Sequence, residues 1–225
     1  MDYSYILNTS VPQKEKLKAF GFSAAANESA ASDGGEKLVL KKEIADGQFY
    51  VLIQLSDASL TADVYETSTD EKYVLFNVAS AQGAFVGQIR SEVLEIIEQI
   101  RKECFINEDT KQRYVEFLHS YFKSFGDTPW VAQGDDSSTV YRCPNNKWFA
   151  LVMKIKFKNL GFESEEPVWA VNLKAENIES ITDKKSIFPA YHMNKKYWIT
   201  VLLTAVTDFE QLCELTKKSY ALVEK

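Results

Sequence analysis

The sequence predicts an α+β protein in two parts. A smaller α+β domain covers residues 1–106, and an antiparallel sheet flanked by helices covers 107–225. Three observations predict this. Short runs rich in apolar, β-branched and aromatic residues lie at 37–44, 48–55 and 60–66, and again from 138 onward, bounded by turn-forming residues, the composition of strands. Between the two groups lie two apolar stripes at helical spacing. The first is Ile89, Val93, Ile96, Ile97 and Ile100; the second is Tyr114, Phe117, Leu118, Tyr121, Phe122 and Phe125. The stretch Phe105-Ile106-Asn107-Glu108 separates the stripes and marks the boundary.

Each element follows from local signals. Residues 13–20 read as a short helix, with Ser10 as the expected N-cap and Gly21 as the stop. Residues 23–35 are Ala, Ser, Asn, Asp and Gly in the main, a loop by composition. Ala45-Asp46-Gly47 signals a hairpin between the first two strands, and 73–78 reads as a fourth strand. The first stripe sets a helix over 84–104. The second sets a helix over 109–125, ended by Gly126. Strands then read at 130–133, 138–143, 147–157, 168–173, 187–192 and 196–203. Pro144-Asn145-Asn146 is a turn, 161–166 an acidic loop and 175–183 a short helix. The last helix starts at Thr207, with Glu210 three residues on as a capping box. Its inward residues are Phe209, Leu212, Cys213, Thr216 and Tyr220. Phe117, Leu118, Tyr121, Leu212 and Tyr220 should be buried against the second sheet.

Composition narrows the class. At 225 residues, 45% hydrophobic and 26% charged, the chain is ordinary for a globular protein. It has no apolar run long enough to span a bilayer and no basic, then apolar leader, so a cytoplasmic protein without a membrane role is expected. Three dispersed cysteines, Cys104, Cys143 and Cys213, make neither a disulfide framework nor a metal knuckle. The net charge of −6 is uneven: 10 Lys and Arg stand against 17 Asp and Glu before residue 109, and 16 against 15 from there on. An acidic first half opposes attraction of the whole chain to nucleic acid and suits a basic protein partner.

Two features of the second half could contact nucleic acid. In Lys154-Ile155-Lys156-Phe157-Lys158 the lysines alternate with apolar residues. On a strand that places three ammonium groups on one face, roughly 6–7 Å apart, near the phosphate spacing of an extended single strand. The turn Asn194-Lys195-Lys196, flanked by His192 and Trp198, is basic and could enter a groove as a wing. The plainer account is that lysines at such spacing solvate a strand or guard an edge. Likewise Trp130, Trp148, Trp169, Trp198, Tyr141 and Tyr191 read first as sheet and core residues. His119 sits one residue beyond the second stripe, and neither histidine stands in metal-ligand spacing. No catalytic residue, metal ligand or cofactor motif is assigned: GxSxG, P-loop and GxGxxG patterns are missing from the sequence.

The run Pro189-Ala190-Tyr191-His192-Met193-Asn194-Lys195-Lys196-Tyr197-Trp198-Ile199-Thr200, with Lys147-Trp148-Phe149-Ala150, Val171-Asn172-Leu173-Lys174 and Ser219-Tyr220-Ala221-Leu222-Val223, resembles the MmcQ/YjbR-like family of small bacterial proteins. The resemblance covers residues 109–225 and leaves the first half as an extension. It implies a sheet-and-helix fold compared with both the frataxin-like arrangement and the double-wing DNA-binding module. It implies no settled reaction. Two function classes remain open: a DNA-binding or regulatory protein with weak, sequence-indifferent contacts, or a protein- or small-ligand-binding module. A continuous positive stripe through Lys154, Lys156, Lys158, Lys195 and Lys196 would favour the first; a neutralised, scattered set would favour the second.

Overall fold

The computed structural model describes residues 1–25, 37–108, 110–122, 128–129 and 138–224. The chain divides into two compact units, Met1–Ile106 and Asn107–Lys225.

The first unit runs β1 (Val11–Pro12), α1 (Lys14–Phe20), β2 (Ser23–Ala24), β3 (Leu38–Ile44), β4 (Phe49–Leu55), β5 (Leu60–Glu66), α2 (Ala84–Cys104) and β6 (Phe105–Ile106). Among the described residues β2, β3, β4 and β5 form one antiparallel sheet in that order, and β1 pairs with β6. Leu40, Ile53 and Ala62 lie opposite one another across three strands, and all are buried. The α2 stripe is equally buried: Ile89, Val93, Ile97 and Ile100 have no exposed surface. Helix α1 ends at Gly21, whose φ of +116° favours a residue without a Cβ.

Two local expectations fail here. Ser10 does not cap α1; it is buried, and its hydroxyl donates to the Ile6 carbonyl at 3.0 Å. Residues 73–78 are not a strand. Val74–Asn77 forms a 3-10 turn because Arg90, on α2, gathers carbonyls from this segment. Its guanidinium donates to Leu75, Phe76, Val78 and Ala81 at 2.7–3.3 Å. Strand geometry would spread those four oxygens apart.

The second unit runs α3 (Thr110–Tyr121), β7 (Thr128–Pro129), β8 (Ser138–Arg142), β9 (Trp148–Lys156), β10 (Pro167–Lys174), α4 (Ile178–Ile181), β11 (Ile187–Pro189), β12 (Trp198–Leu202) and α5 (Phe209–Glu224). Its strands order as β11-β12-β10-β9-β8-β7, all antiparallel. This is the expected α+β architecture. The strand expected at 130–133, and Phe125 and Gly126, lie outside the described residues.

One sheet face meets α3 and α5. Val152, Val171 and Val201 stand opposite one another on the three central strands and join Tyr114, Leu118, Leu212 and Val223 in one buried cluster. Two buried hydroxyls tie α5 down. Ser219 donates to the Phe149 carbonyl at 2.5 Å and accepts from the Lys174 N–H at 2.8 Å. Thr216 hydrogen-bonds the Tyr114 hydroxyl at 2.9 Å. Burial pushes that phenol above its ordinary pKa. Of the five aromatic and leucine positions expected inside, Leu118 and Leu212 are buried while Phe117 and Tyr220 are half-buried. Tyr121 is 55% exposed, on the last turn of α3, with the Lys217 ammonium 5.3 Å above its ring. The expected capping box at Thr207 is also replaced. Asp208 caps α5, its carboxylate accepting from the N–H groups of Glu210 and Gln211 at 3.0 and 3.1 Å. The Thr207 hydroxyl turns back instead to the Leu202 carbonyl at 2.6 Å.

Between α4 and β11 a single carboxylate organises the chain. Asp183 accepts from the N–H groups of Lys185, Ser186 and Ile187 at 2.7–2.8 Å and from the Ser186 hydroxyl at 2.9 Å. Desolvation raises its pKa, but the hydrogen bonds outweigh that and hold it below the ordinary range. A depressed carboxyl stabilises the fold above its unfolded pKa, about 4, and loses that contribution as pH falls through the folded value. Asp183→Asn is therefore expected to lower stability at pH 7. Urea midpoints of the two proteins should converge toward pH 3; a gap that persists or widens in acid would contradict this.

Candidate ligand-binding groove

The face of the second sheet away from α3 and α5 starts one residue along each strand from the valine row. There Leu151, Asn172 and Thr200 stand opposite one another. Asn172 and Thr200 have no exposed surface, yet they satisfy each other: the Thr200 hydroxyl donates to Asn172 Oδ1 at 2.6 Å. They also clasp the chain that follows β11. Asn172 Nδ2 donates to the Tyr191 carbonyl at 2.7 Å, and the Tyr191 N–H donates to Thr200 Oγ1 at 2.8 Å. His192 follows in the left-handed region, φ +61°, with its ring 3.9 Å from that of Tyr191. A buried polar pair thus fixes the backbone of the half-buried Tyr191, which the exposed His192 follows.

Beside this clasp lies an open groove of about 1000 Å³. Leu151, Met153 and Ile155 contribute its apolar part; Trp148, Tyr191 and His192 its aromatic part. Lys154 and Lys156, which alternate with those apolar residues along β9 and so belong to its Val152 face, border the groove at its edge, as does Lys158. Pairing of β9 with β8 reaches Met153, opposite Ser138, and pairing with β10 continues to Lys156. The groove borders the part of β9 from Leu151 to Lys156.

The lysines are not one strand face. Lys158 lies in a 3-10 turn, Phe157–Leu160. The chain leaves the sheet there because Asn159 Oδ1 takes the Lys156 N–H at 3.0 Å and Gly161, φ +96°, closes the turn. The acidic loop then returns one carboxylate to two ammonium groups. Glu165 pairs with Lys156 at 2.7 Å and with Lys158 at 2.5 Å. Their hydrogen bonds hold the Glu165 carboxyl below its ordinary pKa. Among the described residues Lys154 makes no ion pair and faces Trp169 in register across β10.

Four of the eight expected contact residues, Lys154, Lys156, Lys158 and His192, thus meet at one groove. The other four do not. Lys195 and Lys196 border a separate depression with Asn177 and Glu179. Asn194 is the turn-maker: its carbonyl accepts from the N–H groups of Tyr197 and Trp198, and its side chain from that of Lys196 at 2.9 Å. Trp198 is half-buried at the start of β12, opposite Lys174. The continuous positive stripe is therefore interrupted and partly neutralised. Sequence reading passed over Asn172 and Thr200. Their signal was present as two polar residues inside otherwise apolar strands.

The family model described as YjbR matches residues 123–222. A Pseudomonas syringae protein of known crystal structure is 31% identical, and the chain covers 97% of it with 50% of its own length, at a TM-score of 0.45. The chain belongs to the YjbR family, through its second unit. The Bacillus subtilis (strain 168) uncharacterized protein YyaQ is 24% identical over 117 residues, 98% of its length and 51% of this chain. A Deinococcus radiodurans protein, DR2400, described by the domain name DUF419, is 26% identical over 49% of this chain and 78% of its own, at a TM-score of 0.38. The Asn172–Thr200 clasp and the Lys154 groove both lie within the YjbR segment. Among the described residues no group of three acidic, histidine or cysteine side chains could hold a metal ion, and no helix is long and apolar enough to cross a membrane.

Proposed function

We propose that the YjbR unit is a binding module whose groove takes a ligand with an apolar body and one anionic group. One observation carries this reading: an apolar and aromatic surface borders a lysine, Lys154, that makes no ion pair among the described residues. Apolar surface supplies affinity in such sites, and few polar groups set orientation. The three cysteines stand free, which suits work in a reducing cytoplasm. Weak contact with nucleic acid is the second reading. It is favoured by Trp148 and Tyr191 beside Lys154, because aromatic rings next to cations suit an unpaired strand. Pairing of Lys156 and Lys158 with Glu165 weighs against a phosphate-led contact.

The test uses anilinonaphthalene sulfonate as an apolar anionic probe and a short oligothymidylate as a nucleic-acid probe. Lys154→Gln should weaken sulfonate binding by about tenfold, the loss of one charge-assisted contact. Glu165→Gln frees two ammonium groups and should tighten it severalfold. Sulfonate binding indifferent to both changes would overturn the groove reading. Oligothymidylate binding whose salt slope falls by about 1 in Lys154→Gln would establish the second reading in its place.

A further inference from the structure

The depression beside Lys195 and Lys196 is part of a larger surface. It continues into a recess bordered by Lys174, Lys196 and Tyr197, and then into a cleft of about 410 Å³ between α4 and α5. Asn177, left-handed at φ +53°, borders all three and turns the chain from β10 into α4. Three hydrogen bonds fix this framework. The Lys174 N–H donates to Ser219, the Ala175 N–H to the Tyr197 carbonyl, and the Ser180 hydroxyl to the Asn177 carbonyl. The cleft therefore joins four rigid pieces: the end of β10, α4, the turn before β12, and α5.

The charges there differ from those of the first groove. Lys174, Lys195, Lys196 and Lys218 all border the surface, and among the described residues none of them makes an ion pair. Their neighbour Lys217, by contrast, is paired with Glu214 at 2.7 Å. Among the described residues Glu176 and Glu179 are the acidic groups bordering the surface, against four lysines. Beneath the lysines the cleft is apolar, lined by Ile181, Leu215, Ala221 and Leu222. A surface bordered by several unpaired cations beside an apolar cleft suits an anion of several charges that carries an apolar or planar body.

We infer that this surface is a second ligand site, for a multiply phosphorylated small molecule with an apolar or planar body, of nucleoside polyphosphate chemistry. The phosphates would meet Lys174, Lys196 and Lys218, and the body would lie on Leu215 and Leu222. The inference is independent of the groove at Lys154.

Titration of the full chain, followed by amide NMR, tests it with three probes: inorganic tripolyphosphate, adenosine triphosphate, and sodium chloride at matched ionic strength. Saturable shifts are expected at Lys174, Asn177, Lys196 and Lys218 with both phosphates. Binding should be tighter for the nucleotide, and chloride should give none of these shifts. The double variant K174Q/K218Q should bind the nucleotide at least about tenfold more weakly, as loss of a charge-assisted hydrogen bond requires. K156Q/K158Q should bind it as the unmodified protein does. These are exposed or half-buried side chains, and an unchanged spectrum elsewhere certifies the fold. Shifts spread over lysines across the whole surface, or equal affinity for tripolyphosphate and nucleotide, would overturn the inference.

Discussion

Phe149→Ala is expected to destabilise the second unit by about 3–5 kcal/mol, the cost of emptying a fully buried aromatic site. Phe149 has no exposed surface, and its ring is packed by those of Phe122 at 4.9 Å, Tyr220 at 5.2 Å and Tyr141 at 6.4 Å. It lies where the register of β8 and β9 shifts, between Tyr141 opposite Ala150 and Arg142 opposite Trp148. That irregularity brings Phe149 and Ala150 into the same core cluster, although neighbouring strand residues ordinarily face opposite ways. Alanine would leave a void bounded by α3, α5 and two strands, and rigid helices cannot close it. Urea unfolding should show a lower midpoint with an unchanged slope. Phe149→Leu should recover more than half of the loss. A cost below about 1 kcal/mol would mean that the core collapses to fill the site.

Arg90→Met, at a half-buried position, should destabilise the first unit by about 2–4 kcal/mol. Four carbonyls depend on one guanidinium, and methionine replaces its length but none of its donors. Lysine should restore little, since one ammonium cannot reach four oxygens held in a planar array. Hydrogen exchange would locate the effect: amides of residues 74–81 should lose protection before those of β4. Equal loss of protection in both would show that Arg90 supports the unit as a whole.

Much of the architecture was legible because its signals are local. The helix over 84–104 shows three turns of buried isoleucine and valine, β5 alternates between buried and partly exposed residues, and β3 and β4 stand out by their apolar and β-branched content. Misreadings arose where a distant partner decides the local form. Residues 73–78 have strand-like composition, and nothing within them reveals that Arg90 will collect their carbonyls. Thr207 and Asp208 are both plausible caps; the choice depends on Leu202, whose carbonyl takes the threonine. The site was less legible than the fold. The lysine alternation is real through Lys156, but Asn159 and Gly161 end the strand before Lys158. Glu165 was visible only as one acid in an acidic loop, and its bridging of two lysines is a tertiary fact. Lys195 and Lys196 were joined to Lys154 by charge alone, whereas the turn around Asn194 takes them to another surface.

The facing pair Asn172 and Thr200 also bears on how the central strands find their alignment. β10 and β12 are otherwise apolar and buried on both faces, so hydrophobic pattern alone does little to tell one face of these strands from the other. A slip of one residue would set Asn172 against Val201 or Ile199. The amide would then lie in a dry interior with its oxygen unclaimed, at a cost of about 1–3 kcal/mol. It would also release Tyr191 from both of its anchors. Two polar atoms in an oily seam therefore act as a key cut for one alignment, and mispaired sheets carry a penalty that hydrophobic surface alone would not impose.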